Sequence, residues 1–135
     1  MTQPIIYKIN HPLIVSQVAA VFDNSGIKRP TNDLPRIQQM IDKADLIVTA
    51  WDGEMLVGIA RSLTDFVYCC YLSDLAVQEE YQHKGIGKKL IEITKEQIGD
   101  QSMLLLLSAA PAMEYYPKLN LFEKVDNGFI IKRKS

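Results

Sequence analysis

Tyr81-Gln-His-Lys-Gly-Ile-Gly-Lys-Lys-Leu90 joins an apolar strand-like run to a long amphipathic segment, and its reading decides the fold. The run before it ends at Val77, Gln78-Glu79-Glu80 makes a short acidic turn, and Gly85 and Gly87 open the amphipathic stretch. The order is strand, loop, helix, with glycine at the junction. The first turn of a helix has backbone N–H groups without partners and a partial positive charge, so glycine there lets an anion approach the backbone. Lys84, Lys88 and Lys89 flank the spot. The stretch therefore reads as an anion site for a phosphorylated cofactor.

Two specific phosphate motifs fail. A nucleotide P-loop needs glycine where Gln82 stands and a hydroxyl where Lys89 stands, the latter to hold magnesium. A dinucleotide fingerprint needs a third glycine where Leu90 stands, on a strand at the start of the chain rather than after a meander. The structural alternative is that two small residues simply admit close helix packing.

A chain of 135 residues is expected to form one domain, residues 1–135, burying about two thirds of its unfolded surface without disulfides or metals. Fifteen Lys plus Arg against sixteen Asp plus Glu give a net charge of −1, so no global basic field invites nucleic acid and any anion site is local. Cys69 and Cys70 are adjacent, point to opposite faces of a strand and cannot staple distant segments. They fit a reducing compartment. The start Met1-Thr-Gln-Pro lacks a signal-peptide pattern and no apolar run approaches the roughly 20 residues that span a bilayer. A cytoplasmic protein without membrane contact is expected.

In chain order, 5–9 reads as a strand, Asn10 as the cap of a first helix stopped by Gly26, and Asn32 or Asp33 as the cap of a second helix with Pro35 in its first turn. The polar loop 24–32, with Lys28 and Arg29, either covers a site or is solvated. Residues 46–51 and 55–61 around Asp52-Gly53 predict a hairpin, and 66–77 a long third strand of the meander. After the helix 85–98, the apolar run 103–107 predicts a strand buried on both faces and parallel to the one before the helix. A short helix over 112–119, bent by Pro117, and a terminal hairpin about Asp126-Asn127-Gly128 complete the expectation.

Leu72-Ser-Asp-Leu-Ala-Val77, Gln82-His-Lys-Gly-Ile-Gly87 and Tyr115-Tyr-Pro-Lys-Leu-Asn-Leu-Phe122, in this order of elements, resemble the GNAT superfamily of N-acetyltransferases. The second segment matches the family's Gln/Arg-x-x-Gly-x-Gly/Ala signature, and the third its late Phe-Tyr-x-x-x-Gly-Phe segment. The resemblance spans nearly the whole chain and implies an α/β fold with a mixed, mostly antiparallel central sheet flanked by helices and a parallel strand pair splayed at the cofactor site. Two departures stand out: Pro117 follows the tyrosines, and Asn120 replaces the usual glycine, although Asn tolerates the left-handed conformation required there.

The resemblance implies acetyl-CoA as cosubstrate and no metal. Gln82, His83, Lys84, Gly85, Ile86, Gly87 and Lys88 would hold the pyrophosphate. Leu75, Ala76 and Val77 would line the pantetheine arm, with an N–H near Leu75 polarising the thioester carbonyl. Tyr116 would protonate the leaving thiolate. A lysine-like amine of pKa about 10.4 costs about 4.6 kcal/mol to neutralise at pH 7, so a base or a water chain is expected. Asp74, Glu79, Glu80 and Asp65 are the candidates, and Tyr71 stands where some members carry a strand glutamate. His11 and His83 read as surface residues, and Cys69 and Cys70 as inert rather than acyl carriers. The expected acceptor is a primary amine on a small molecule or peptide, near loop 24–32, Arg61 and strand 69–71. The rivals are a non-catalytic acyl-CoA-binding sensor or partner-binding module, and a protein-modifying acetyltransferase. A homodimer is left open.

Overall fold

The computed structural model describes residues 3–109 and 112–135. Among them, β1 (Ile6–Ile9), α1 (Val15–Ser25), α2 (Leu34–Asp42), β2 (Leu46–Asp52), β3 (Met55–Thr64), β4 (Cys69–Val77), α3 (Ile86–Ile98) and β5 (Met103–Leu105) follow in sequence. The strands form one sheet in the order β1-β2-β3-β4-β5, antiparallel throughout except for the parallel β4–β5 pair. The strand–helix–strand unit β4-α3-β5 is the expected crossover.

Alternation along the strands builds two cores, one on each face. Ile47, Trp51 and Ala76 face Val18, Val21 and Phe22 of α1 and Ile37 of α2. Val48, Ala50, Cys70 and Leu72 face Ile86, Leu90, Ile91 and Ile98 of α3. Close approach of α3 depends on Gly58, where a Cβ would come within 3.2 Å of Leu90 and 3.3 Å of Ile86.

Several expected elements take different bounds. Asn10 does not cap α1: it adopts φ 51, and its backbone N–H and side-chain oxygen both bond Ile47 at 2.8 Å, fastening the end of β1 to β2. α1 starts after Ile14 and stops, as expected, at Gly26 with φ 92. Asp33 caps α2 by accepting from the Arg36 N–H at 3.1 Å. β4 starts at Cys69 rather than at 66, because the Asp65 carboxylate accepts from the N–H groups of Val67, Tyr68 and Cys69 and winds 65–68 into a turn.

The C-terminal third departs furthest. β5 has three residues, not five, and Met103 is exposed, so it is an edge strand covered incompletely rather than buried on both faces. The expected α-helix over 112–119 does not form; Tyr116–Leu119 make a 3-10 turn with Pro117 in its first positions, where no N–H is required, and Ala110 and Pro111 lie outside the described residues. Asn120 takes φ 56, the left-handed geometry expected of it. The terminal hairpin does not form. Residues 121–135 form neither helix nor strand, and Phe129 and Ile131 are 101% and 100% exposed. A two-stranded hairpin needs a face to bury, and of this segment only Phe122 packs on the core.

One ion-pair cluster ties the α1–α2 loop to the sheet. Asp74, fully buried, accepts from Arg61 of the neighbouring strand and, at 2.5 Å, from Arg29 of the α1–α2 loop. Removing one partner of such a cluster strands a buried charge, which costs about 3–5 kcal/mol. Asp74→Ala is accordingly expected to lower the unfolding free energy by that amount, read as a lower urea midpoint at unchanged slope. A loss under 1 kcal/mol would show that the cluster contributes little.

Candidate active site

The site begins where β4 and β5 part. Their pairing runs from Cys69↔Met103 to Tyr71↔Leu105 and then ends. Just beyond, the β3–β4 register jumps from Arg61↔Asp74 to Ser62↔Leu72, so Ser73 is the extra residue of a β-bulge. A bulge bends its strand and increases local twist, and here it turns β4 away from β5. The opening is a cleft of about 280 Å³ lined by Leu72, Ser73, Leu75, Leu106, Arg29 and Tyr116, among others.

Backbone direction within the cleft follows from two hydrogen bonds. Gln78 N–H donates to Val57 of β3 at 2.8 Å, while the Val77 carbonyl accepts from the Gln82 side chain at 2.9 Å, on the side away from β3. Strand groups alternate sides with period two. The N–H groups of Val77 and Leu75 therefore point towards the splay, not into the β3 ladder. Leu75 lines the cleft, Val77 is buried in the core beneath α3, and the Ala76 side chain lies on the opposite face against α1.

From Val77 the chain passes through a 3-10 turn, Glu79–Tyr81, into the glycine loop. Asn24 of α1 accepts from the Glu79 N–H at 2.6 Å, and the Tyr81 hydroxyl donates to Asp52 at 2.5 Å, which anchors the turn at both ends. His83 and Gly85 adopt φ 64 and 82, and α3 begins at Ile86 with Gly85 as its cap. The first backbone bond of α3 is Lys89 N–H to Gly85. Among the described residues no acceptor meets the N–H groups of His83 to Lys88. Such a row of unpaired donors at a helix start fits a pyrophosphate. Lys84 and Lys88 are exposed beside it, and Lys84 lies over the Tyr81 ring.

The two glycines have different reasons. At Gly85 an added Cβ would meet nothing within 4 Å, so its requirement is the positive φ. At Gly87 a Cβ would fall 2.5 Å from the Tyr115 hydroxyl. Tyr115 thus lies over the first turn of α3, while Tyr116 turns into the cleft beside Leu75 and packs edge-on between Tyr115 and Phe122. Burial pushes the Tyr116 phenol above its usual range, with the Tyr115 phenol adding to the effect. Burial raises Tyr115 as well.

None of the four base candidates reaches the cleft. Both Asp74 oxygens are occupied by guanidiniums, the Asp65 carboxylate is spent on its turn, and Glu79 and Glu80 are exposed in the 3-10 turn. Three backbone N–H bonds lower the Asp65 pKa. Tyr71 is exposed on the paired part of β4. His83 is exposed on the loop, and His11 lies edge-on to Trp51 beside a larger hollow of about 460 Å³ by α2, remote from the glycine loop. Cys69 is exposed, and burial raises the Cys70 thiol, which disfavours a nucleophilic thiolate. Sequence reasoning missed Tyr115 over Gly87, and it left open whether loop 24–32, with Arg29, covers a site; the structure puts Arg29 in the cleft. The twin tyrosines hinted at the Tyr115 contact, whereas nothing local signals that Arg29 meets a residue 45 positions away.

Gly87→Ala is expected to cost about 1–3 kcal/mol in folding stability by overpacking. Adding Tyr115→Phe, which deletes the hydroxyl, should recover most of that in a double-mutant cycle; additive losses would mean that the two residues do not share this contact.

Comparison with known proteins agrees with this arrangement. The family model described as "Acetyltransferase (GNAT) family" matches residues 18–122. The chain is similar in fold to a proposed acetyltransferase from Deinococcus radiodurans R1, with a TM-score of 0.77 and 22% identity over 98% of this chain and 94% of that one. It is similar also to a GNAT-family acetyltransferase from Streptococcus pneumoniae TIGR4, with a TM-score of 0.75 and 21% identity over 98% and 100%. A third similar structure is AAC(6')-Iy in complex with the bisubstrate analogue CoA-S-monomethyl-acetylneamine, with a TM-score of 0.71 and 12% identity over 97% and 99%. No curated protein matches the chain. With more than half its length matched by the family model, and with the splayed strands and glycine loop in place, the chain belongs to the GNAT family of acetyltransferases.

Proposed function

We propose that the protein transfers an acetyl group directly from acetyl-CoA to a primary amine of a small molecule or peptide, as one catalytic domain working in the reducing cytoplasm. The observation that carries this reading is two features on one strand: β4 runs on into the 83–88 loop with its unpaired N–H groups, and Leu75 of the same strand lines, with Tyr116, the cleft where β4 and β5 part. Acetyl-CoA supplies the thioester, and the loop 82–88 would hold its pyrophosphate. A helix N-terminus contributes about 0.3–2 kcal/mol per anionic charge.

The chemistry asked of the chain's own groups is limited. The amine nitrogen attacks the thioester carbonyl, whose oxygen gains negative charge, and the Leu75 N–H stabilises it as an oxyanion donor. The carbon–sulfur bond then breaks and Tyr116 gives its proton to the departing sulfur. A phenol held above its usual range by burial stays in the donor form through neutral pH. The ammonium proton of the acceptor leaves by water, because among the described residues no carboxylate or imidazole lines the cleft. That same observation favours one second reading, an acyl-CoA-binding module without catalysis.

Acetyl-CoA at a hundredfold above its dissociation constant should add about 2.7 kcal/mol of stability; no shift in the unfolding midpoint would sink both readings. Thiol release with any amine of a broad panel separates the enzyme from the binding module. Tyr116→Phe should lower kcat by roughly 100-fold or more while leaving acetyl-CoA affinity unchanged, which is the pattern of a lost general acid. The active form of Tyr116 is the protonated one, and its pKa is raised. The alkaline fall in kcat is therefore expected above about pH 10, the ordinary phenol value. A fall centred below pH 9 that persists in the phenylalanine variant would assign it elsewhere.

A further inference from the structure

Arg29 is the charged side chain among the described residues lining the cleft. It reaches there from the α1–α2 loop and is held on three sides: Nε donates to Asp74, Nη1 to the Lys28 carbonyl at 2.6 Å, and Nη2 to the Ser73 carbonyl at 2.9 Å. A guanidinium has five N–H donors, so one remains on each terminal nitrogen. The side chain is 28% exposed, whereas Asp74 is fully enclosed. Asp74 serves Arg61 as well, and Arg61 is committed to the Met40 carbonyl and the Ser73 hydroxyl besides. Two guanidiniums against one carboxylate leave one formal positive charge, and the part that faces the cleft is Arg29.

Position along β4 separates this group from the cofactor loop. Val77 leads into the glycine loop, Leu75 lies at the proposed reacting carbonyl, and Arg29 grips Ser73 and Asp74, further from the pyrophosphate cradle. On the acetyltransferase reading above, that end of the cleft receives the acceptor.

We propose that Arg29 recognises the acceptor: it binds a carboxylate carried by the amine, so the substrates are amino acids or peptide-like amines bearing a carboxylate, and polycationic amines are excluded. A guanidinium with free donors on both terminal nitrogens suits a planar two-oxygen anion. Its pre-anchoring by Asp74 and Ser73 reduces the ordering cost of binding. A polycation would bring further positive charge to a cleft lined by a guanidinium and no described carboxylate.

The test uses the full chain saturated with CoA, titrated with N-acetyl-alanine and N-acetyl-phenylalanine, their C-terminal amides, and spermidine, at fixed ionic strength. The acids are expected to bind about 10- to 100-fold more tightly than the amides, the range of one charge-assisted hydrogen-bonded pair. Arg29→Gln should bring the acid-to-amide ratio to about one with CoA affinity retained, and Arg29→Lys should keep part of it. Because the ratio compares two ligands on one protein, general damage to the loop does not mimic the result. Equal binding of acid and amide by the unaltered protein, tighter binding of spermidine, or a ratio that survives Arg29→Gln overturns the proposal. Failure of CoA itself to bind overturns instead the cofactor reading on which it rests.

Discussion

The buried carboxylate of Asp74 is the constraint on which the site depends. It lies in β4 beside the Ser73 bulge and fastens two elements, the β3 strand through Arg61 and the α1–α2 loop through Arg29. A buried ion pair is weak evidence for net stability, since desolvation offsets much of the attraction. Its better-attested use is to specify one arrangement. Here the arrangement is a loop that cannot lift from the cleft without leaving a fully buried carboxylate short of a partner, and a bulge whose extra residue is gripped at both its carbonyl and its hydroxyl. Bulge, splay and loop position form one geometric unit.

Features legible in the sequence were those written locally. Glycine at a strand–helix junction, Asp52-Gly53 between apolar runs, Gly26 after a helical stripe and Asp33 before Pro35 each report a backbone geometry within a few residues, and each took its expected place. The GNAT assignment rested on three such local segments in the right order. Asn10 misled because its residue type suits both a helix cap and a left-handed strand end. The choice was made by Ile47, which offers it a backbone donor and acceptor from across the sheet.

What escaped the sequence was pairwise and distant, or depended on what a segment packs against. Read separately, Arg29 belongs to a loop that either covers a site or is solvated and Asp74 is a base candidate; their pairing occupies the carboxylate and holds Arg29 at the cleft. The run 103–107 has the composition of a fully buried strand, yet hydrophobicity states only that burial would be favourable, not that a neighbour is present to provide it. The same applies to 121–135, where good turn chemistry at Asp126-Asn127-Gly128 is not matched by a surface for the flanking residues to cover.

The absence of a carboxylate from the described cleft lining gives the mechanism a specific shape. With Asp74 bonded on both oxygens and Asp65 turned into its own backbone, a fixed base would have to be replaced by solvent, and water as a proton acceptor works best when the amine sheds its proton before it is enclosed. A positive guanidinium at the acceptor end favours that order, because it disfavours the ammonium form electrostatically and the neutral form less. Arg29 would then act twice on one substrate, attracting its carboxylate and lowering the pKa of its nearby amine. On the same proposal Tyr116, whose pKa burial raises, would need no exchange with solvent until the thiol has left. On the proposed mechanism the cleft would expel a proton on the acceptor side and store one on the thiol side, with β4 running between them.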